Sequence, residues 1–170
     1  MDSNASRGAR LAPRAEDRAG KYLIFDLANE EFGIRVLQVK EIMKMQEITT
    51  VPQTSDALQG VINLRGRIVP VVNLRRKFGM ADQPYTERTC IIVVRVAMGG
   101  GEQPMGLIVD GVQEVLLLAP DDIEDSPDFG HEGSSYVSGM ATNKGRVKIL
   151  LDIDCVLSRQ GSVGLSILES

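Results

Sequence analysis

A spaced pattern occurs twice in this chain, and a doubled unit limits the possible folds more than any other feature. Gly60 to Leu74 reads GVINLRGRIVPVVNL, and Gly139 to Ile153 reads GMATNKGRVKILLDI. Gly60 aligns with Gly139, Gly66-Arg67 with Gly145-Arg146, and Asn73-Leu74 with Asp152-Ile153, all at one constant offset. Upstream, at a slightly shorter offset, Gly33-Ile34, Val36, Val39 and Glu41-Ile42 align with Gly106-Leu107, Val109, Val112 and Glu114-Val115. Pro52 aligns with Pro127. The change of offset puts a few extra residues into one loop region of the second copy.

Each copy reads as β structure. Tyr22–Ala28 is a strand, apolar except at Asp26, and Phe32–Ile34 is a second, joined to it by Asn29-Glu30-Glu31. The carboxylates of Glu30 and Glu31 therefore read as solvated turn residues. Val36–Val39 leads into Lys40–Met45, and Glu47–Val51 is short, β-branched and stopped by Pro52. Thr54, Ser55 and Asp56 each suit the cap of a short helical turn through Leu58, closed by Gly60. Val61–Leu64 and Arg67–Val72 form a hairpin across Arg65-Gly66, where glycine supplies a positive φ. Pro70 cannot donate to a ladder, so its strand is expected at a sheet edge or bulged. Asn73 and Asp152 are good N-caps for short helices at Leu74–Phe78 and Ile153–Leu157. The second copy opens with Cys90–Val96, passes a loose turn at Met98–Pro104, and continues through Met105–Val109 and Gln113–Leu118. Pro120–Tyr136 reads as an acidic, solvated loop with a helical turn.

Short strands separated by polar turns, about five per copy, predict an all-β class. Flat sheets of that size leave open edges, which closure into barrels removes. The expected architecture is two pseudo-symmetric five-stranded barrels packed side by side, with short helical turns. An apolar seam between them would absorb the excess of Val, Ile and Leu over aromatics, which are only 4%. Residues 1–20 read as a disordered tail, 21–158 as the folded unit and 159–170 as a C-terminal tail. The first barrel is expected at about 21–85 and the second at about 86–158, with strand or helix exchange between them.

No catalytic set emerges. His131, the one histidine, stands in FGHEG and reads as solvent-exposed. With no cysteine pair beside it there is no zinc constellation, and no serine lies in a nucleophile-elbow context. Met98–Gly101 lacks the Lys-Ser/Thr of a phosphate loop, and Asp121, Asp122, Glu124, Asp125 and Asp128 lack the spacing of a calcium loop. No catalytic, metal or cofactor residue is expected. A net charge of −4 argues against nucleic-acid binding, and the apolar runs are too short to cross a bilayer. Cys90 and Cys155 sit in apolar segments and suit a reducing cytoplasmic compartment. What remains is a polar pair inside apolar units, Glu41 and Arg65, which could be plain surface charges or a positioned ion pair at a binding groove.

Tyr22-Leu-Ile-Phe, Glu31-Phe32-Gly33-Ile34, Val39-Lys40-Glu41-Ile42, Gly60 to Gly66, Ile68 to Leu74 and Val109-Asp110-Gly111-Val112 together resemble the CheW chemotaxis coupling proteins. The resemblance runs in order from about Lys21 to Ser158, and its most specific block is NLRG-x-IVP-x-V. It implies SH3-like barrels and an adaptor between the cytoplasmic tips of methyl-accepting chemoreceptors and the regulatory domain of a CheA-type histidine kinase. Barrel ends of adaptor and kinase would alternate in rings, with receptor tips in a groove near the barrel junction. By motif match, Val39, Glu41, Gly60, Arg65 and Val112 would face the receptor, with Glu41 and Arg65 as a structural ion pair. The implied location is cytoplasmic, recruited to membrane-associated arrays without direct membrane contact. Asn73 departs from the aspartate common in the family, a change that keeps a cap and loses a charge. A paralogue in a non-flagellar pathway would read the same way. A kinase fragment is disfavoured by the lack of an ATP-binding motif, and an enzyme by the lack of any catalytic set.

Overall fold

Two segments, Tyr22–Phe25 and Cys90–Val94, are apolar at every position, and the fold explains why. In the computed structural model, which describes residues 18–52, 54–125 and 136–158, both lie in strands buried on both faces. The strands are β1 (Gly20–Leu27), β2 (Glu30–Arg35), β3 (Val39–Lys44), β4 (Leu58–Leu64), β5 (Arg67–Asn73), β6 (Cys90–Met98), β7 (Gly101–Val109), β8 (Gly111–Leu118), β9 (Ile123–Glu124), β10 (Val137–Asn143) and β11 (Arg146–Leu151). Two one-turn helices, α1 (Leu74–Lys77) and α2 (Ile153–Val156), follow β5 and β11. One 6-stranded sheet has the order β8-β1-β2-β11-β10-β9, and one 5-stranded sheet the order β3-β6-β7-β5-β4.

The two orders are one pattern written twice. Substituting each strand by its repeat partner turns β3-β6-β7-β5-β4 into β8-β1-β2-β11-β10, with β9 added at the end. Each sheet has one parallel pair at the matching place, β5 with β7 and β11 with β2. The bulges match too, at Leu58/Gly60 and Val137/Gly139, and at Val39/Glu41 and Ile24/Phe25. The sheets, however, exchange strands between the sequence halves: β1 and β2 join β8–β11, whereas β3, β4 and β5 join β6 and β7. The expected boundary near residue 85 falls between two strands of the same sheet. Neither sheet closes through a continuous ladder among the described residues. Each wraps its own core instead, so that Met43 of β3 and Ile62 of β4, from opposite ends of one order, pack in the same cluster.

Three apolar clusters follow from the period-2 alternation of side chains. Ile91 and Val93 point into the 5-stranded sheet with Ile62, Leu64, Val69 and Val71. Tyr22 and Ile24 point into the 6-stranded sheet with Leu118, Ile123 and Leu150. The intervening residues, Leu23, Phe25 and Leu27 from β1 and Cys90, Ile92, Val94 and Val96 from β6, meet in a seam between the sheets. A strand that serves a core on each face has no polar side to show, hence the unbroken runs.

Several local expectations are corrected. Asn29-Glu30-Glu31 is not the turn: Ala28 and Asn29 carry the positive φ values, and Glu31 lies buried in β2. Glu47–Val51 forms only an isolated bridge, Thr49 to Val61. No helical turn ends at Gly60, because Leu58 already belongs to β4 and Gly60 sits in its bulge. Pro70 is not on an edge strand, but it stands just before the ladder to β7 begins at Val71. Met98–Pro104 is mostly ladder, with Gly99 and Gly100 forming a tight turn at positive φ. The acidic segment contains the short strand β9, and Arg18, within the expected tail, is buried and donates to the Ser138 carbonyl at 2.8 Å. His131 and Pro127 lie outside the described residues.

Gly60 has φ +153, and a Cβ there would fall 2.2 Å from the Thr49 carbonyl oxygen. Gly60→Ala is therefore expected to cost about 2 kcal/mol or more, read as a lowered urea midpoint. An unchanged midpoint would show that the Thr49 segment yields freely.

Candidate interaction site

The hairpin tip between β4 and β5 is a two-residue turn with φ 53 at Arg65 and 88 at Gly66. Positive φ at both central positions matches the right-handed twist of the flanking strands. Asn63 steadies the tip by accepting the Gly66 N–H at 2.8 Å on Oδ1. From here Arg65 reaches across to β3. Its Nη1 lies 2.6 Å from Glu41 Oε2 and its Nη2 3.0 Å from Oε1, a bidentate fork. Because β3 and β4 are the two ends of the 5-stranded order, this ion pair bridges the gap that the ladder leaves.

The bulge in β3 aims Glu41. Residues two apart in a regular strand share a face, so Val39 and Glu41 would point the same way. Instead Val39 pairs with Val94 and packs on the seam, whereas Glu41 pairs with Val93, on the other side of β6. The hydrogen bond from Arg65 holds the Glu41 carboxyl below its ordinary value against a smaller desolvation effect, and the Arg65 and Lys40 charges add to it. Arg65 remains 71% exposed, so solvent screens the pair and its value to the fold is small. Charges held in fixed geometry at a surface contribute more to partner selection.

The other candidates are spread around this pair. Val112, the second residue of β8, packs on the seam and lines an open groove of about 340 Å³ with Ile42, Met43, Lys44 and Arg88. Gly60 lies beneath the Thr49 backbone. Asn73 Oδ1 accepts the Arg76 N–H at 3.3 Å, and Asp152 Oδ1 accepts the Cys155 N–H at 3.2 Å, each at the start of its one-turn helix. Among the described residues, no three His, Cys, Asp or Glu side chains are grouped to hold a metal ion, and no helix is long and apolar enough to cross a membrane.

Two features escaped the sequence reading. The first is a second clasp. Carrying the repeat one residue further aligns Arg65 with Lys144, and Lys144, at φ 56, lies 3.6 Å from Glu114. Glu114 is the repeat partner of Glu41, so each sheet ties its end strand to a distant hairpin tip with one ion pair. The second is a buried charge cluster in the 6-stranded sheet. Glu31 pairs with Lys148 at 2.5 Å and with Arg146 at 3.2 Å, and Lys148 also donates to the Asn143 carbonyl at 3.0 Å. The Lys148 hydrogen bond, helped by Gln113, Lys148 and Arg146, holds the Glu31 carboxyl low against desolvation. The signal was present in the sequence: Lys148 interrupts an apolar strand where the first copy has Val69.

The CheW-like domain family matches residues 21–161. The chemotaxis protein CheW of Klebsiella aerogenes is 39% identical over 154 residues, covering 89% of this chain and 90% of that protein. CheW of Thermotoga maritima is 31% identical, covering 79% and 85%. The crystal structure described as scaffolding protein TtCheW from Thermoanaerobacter tengcongensis superposes with a TM-score of 0.76 at 32% identity, over 85% of this chain and 97% of that one. With its doubled two-sheet architecture and these relatives, the chain belongs to the CheW-like domain family.

Proposed function

We propose that this protein is a non-enzymatic coupling adaptor that links the cytoplasmic tips of methyl-accepting chemoreceptors to the regulatory domain of a CheA-type histidine kinase. The observation that carries the reading is the Glu41–Arg65 fork, held beside the exposed apolar Ile42 on an end strand of a chain of this family. An apolar strip bordered by fixed charges suits the apolar face of a helix. The adaptor needs no chemistry of its own. It acts by favouring one geometry of kinase and receptor over another, and only a difference in affinity between receptor states can shift that balance. Repetition in an array strengthens contacts that are weak one at a time. The protein works in the cytoplasm and reaches the membrane through its receptors.

The test is a reconstituted assay of kinase autophosphorylation with receptor-bearing membranes. Receptor control of the kinase is expected to appear only when this chain is added. Equal control in its absence would overturn the proposal.

A further inference from the structure

After α1 the chain stays bound to the surface for several residues. Arg75 of α1 forks onto Asp110 at 2.9 and 2.7 Å and donates to the Ala81 carbonyl at 2.7 Å, and Arg76 forks onto Asp82. Gln83, Pro84 and Tyr85 then close over Asn73, Ile108 and Asp110. Residues 80–85 thus strap the helix to the turn between β7 and β8. The repeat carries this surface onto the other half of the molecule: Arg75 becomes Asp154 of α2, Asp110 becomes Leu37 and Ala28 becomes Ala97. A hydrogen bond marks the same place in both halves. The Ala28 N–H donates to Asp110 at 2.8 Å, and the Ala97 N–H donates to Asp154 at 3.1 Å. Among the described residues, however, the second surface has no strap. It is a groove of about 260 Å³ lined by Leu37, Gln38, Arg95, Ala97, Glu102 and Asp154, with Leu37 82% exposed. The ladder between β3 and β6 ends at Val39 and Val94, so Arg95–Met98 adds an open strand edge to the same place.

We propose that the chain's own C-terminal segment, residues 159–170, is the strap of this groove, with Val163 over Leu37 and Arg159 against the carboxylates of Asp154 and Glu102. The segment starts at the right point, because Asp154 of α2 already lines the groove and Ser158 ends the described chain just beyond that helix. At the offset that relates α1 to α2, residues 159–164 are the repeat partners of 80–85, and Val163 takes the place of Pro84 above Asp110. Its chemistry suits the groove. The segment carries Val163, Leu165, Ile167 and Leu168 for an exposed leucine, and Arg159, its one cation, for two carboxylates. Arg95, the cation of the groove, is turned to the Leu37 carbonyl at 3.3 Å. A strap here would also blunt the open edge of β6 against pairing with another molecule. The inference does not depend on the adaptor reading.

Amide hydrogen exchange on the full chain tests this. Peptides covering 36–39 and 95–98 are expected to exchange about fivefold faster or more when the chain is ended at Ser158, with the remaining strands unchanged. Val163→Asp keeps the full length and should reproduce most of that gain. Leu37→Asp should do the same, whereas a leucine with no cover would tolerate the change without any gain. Arg159→Glu should give a smaller gain that shrinks at about 500 mM salt. Combining Leu37→Asp with the shortened chain should add nothing to either change alone. Parental exchange at both peptides in the shortened chain and in Val163→Asp would overturn the proposal, as would a gain spread evenly over all strands. If protection of the two peptides falls on dilution, with a dimer of matching affinity in sedimentation, a second copy covers the groove and the proposal is overturned.

Discussion

Lys148→Ala is expected to destabilise the protein by about 2–3 kcal/mol, read as a lowered urea midpoint. Lys148 is 3% exposed, and its ammonium sits on the carboxylate of the equally buried Glu31 across the parallel β2–β11 pair. Removing the lysine leaves that buried carboxylate with Arg146 and the neutral Gln113 beside it. The partly exposed Arg146 keeps the loss below that of a fully orphaned charge. The pH dependence has a definite sign. Glu31 titrates below its ordinary value in the folded protein, so its contribution is full above the ordinary carboxylate range and is lost as pH falls through the folded value. The gap between parent and Lys148→Ala should therefore narrow in acid. The double change Glu31→Leu with Lys148→Val, which imitates the apolar Val69 of the other sheet, should recover most of the stability. Equal midpoints for parent and single variant would show that the buried pair has no net worth.

Reversing either charge of the fork, with Glu41→Lys or Arg65→Glu, should lower affinity for a chemoreceptor cytoplasmic fragment by about tenfold or more. The fold should survive, because the exposed Arg65 and the half-buried Glu41 belong to none of the apolar clusters. Matching melts together with lost binding is the expected pattern, checked by calorimetry and a binding titration. Each single reversal places two like charges together where a fork stood, which moves Arg65 away from β3 and disperses the surface beside Ile42. Parental affinity in both variants would remove these residues from the interface. The sister clasp gives an internal comparison: Lys144→Glu breaks the analogous contact with Glu114 on the other sheet and should leave receptor affinity unchanged.

The doubling, the all-β class and the hairpin at Arg65-Gly66 were legible because each depends on local spacing. Turn glycines and capping residues act within a few positions, so Asn73 and Asp152 announce their helices in the sequence. Strand exchange was not legible in detail, because pairing across the molecule leaves no local mark. The same strands, turns and bulges would serve two separate halves. The misreading of Glu31 came from a one-residue shift. Placing the turn at Asn29–Glu31 in place of Ala28-Asn29 moved a buried carboxylate to the surface, and its cation stands far along the chain in β11. Gly60 was misread because a glycine can end a helix or permit a bulge, and only the Thr49 backbone against it decides between them.

The traded strands have an evolutionary corollary. A lone ancestral unit obeying the same pairing rules would have had two strands committed to one sheet and three to the other, with both incomplete. It could satisfy those edges only by embracing an identical sister molecule, as a swapped homodimer. The present polypeptide holds both sisters on one thread, and once fused each was free to diverge. One could keep valine where the other acquired a lysine, and one arginine where the other has a lysine, giving a symmetric frame two unlike faces.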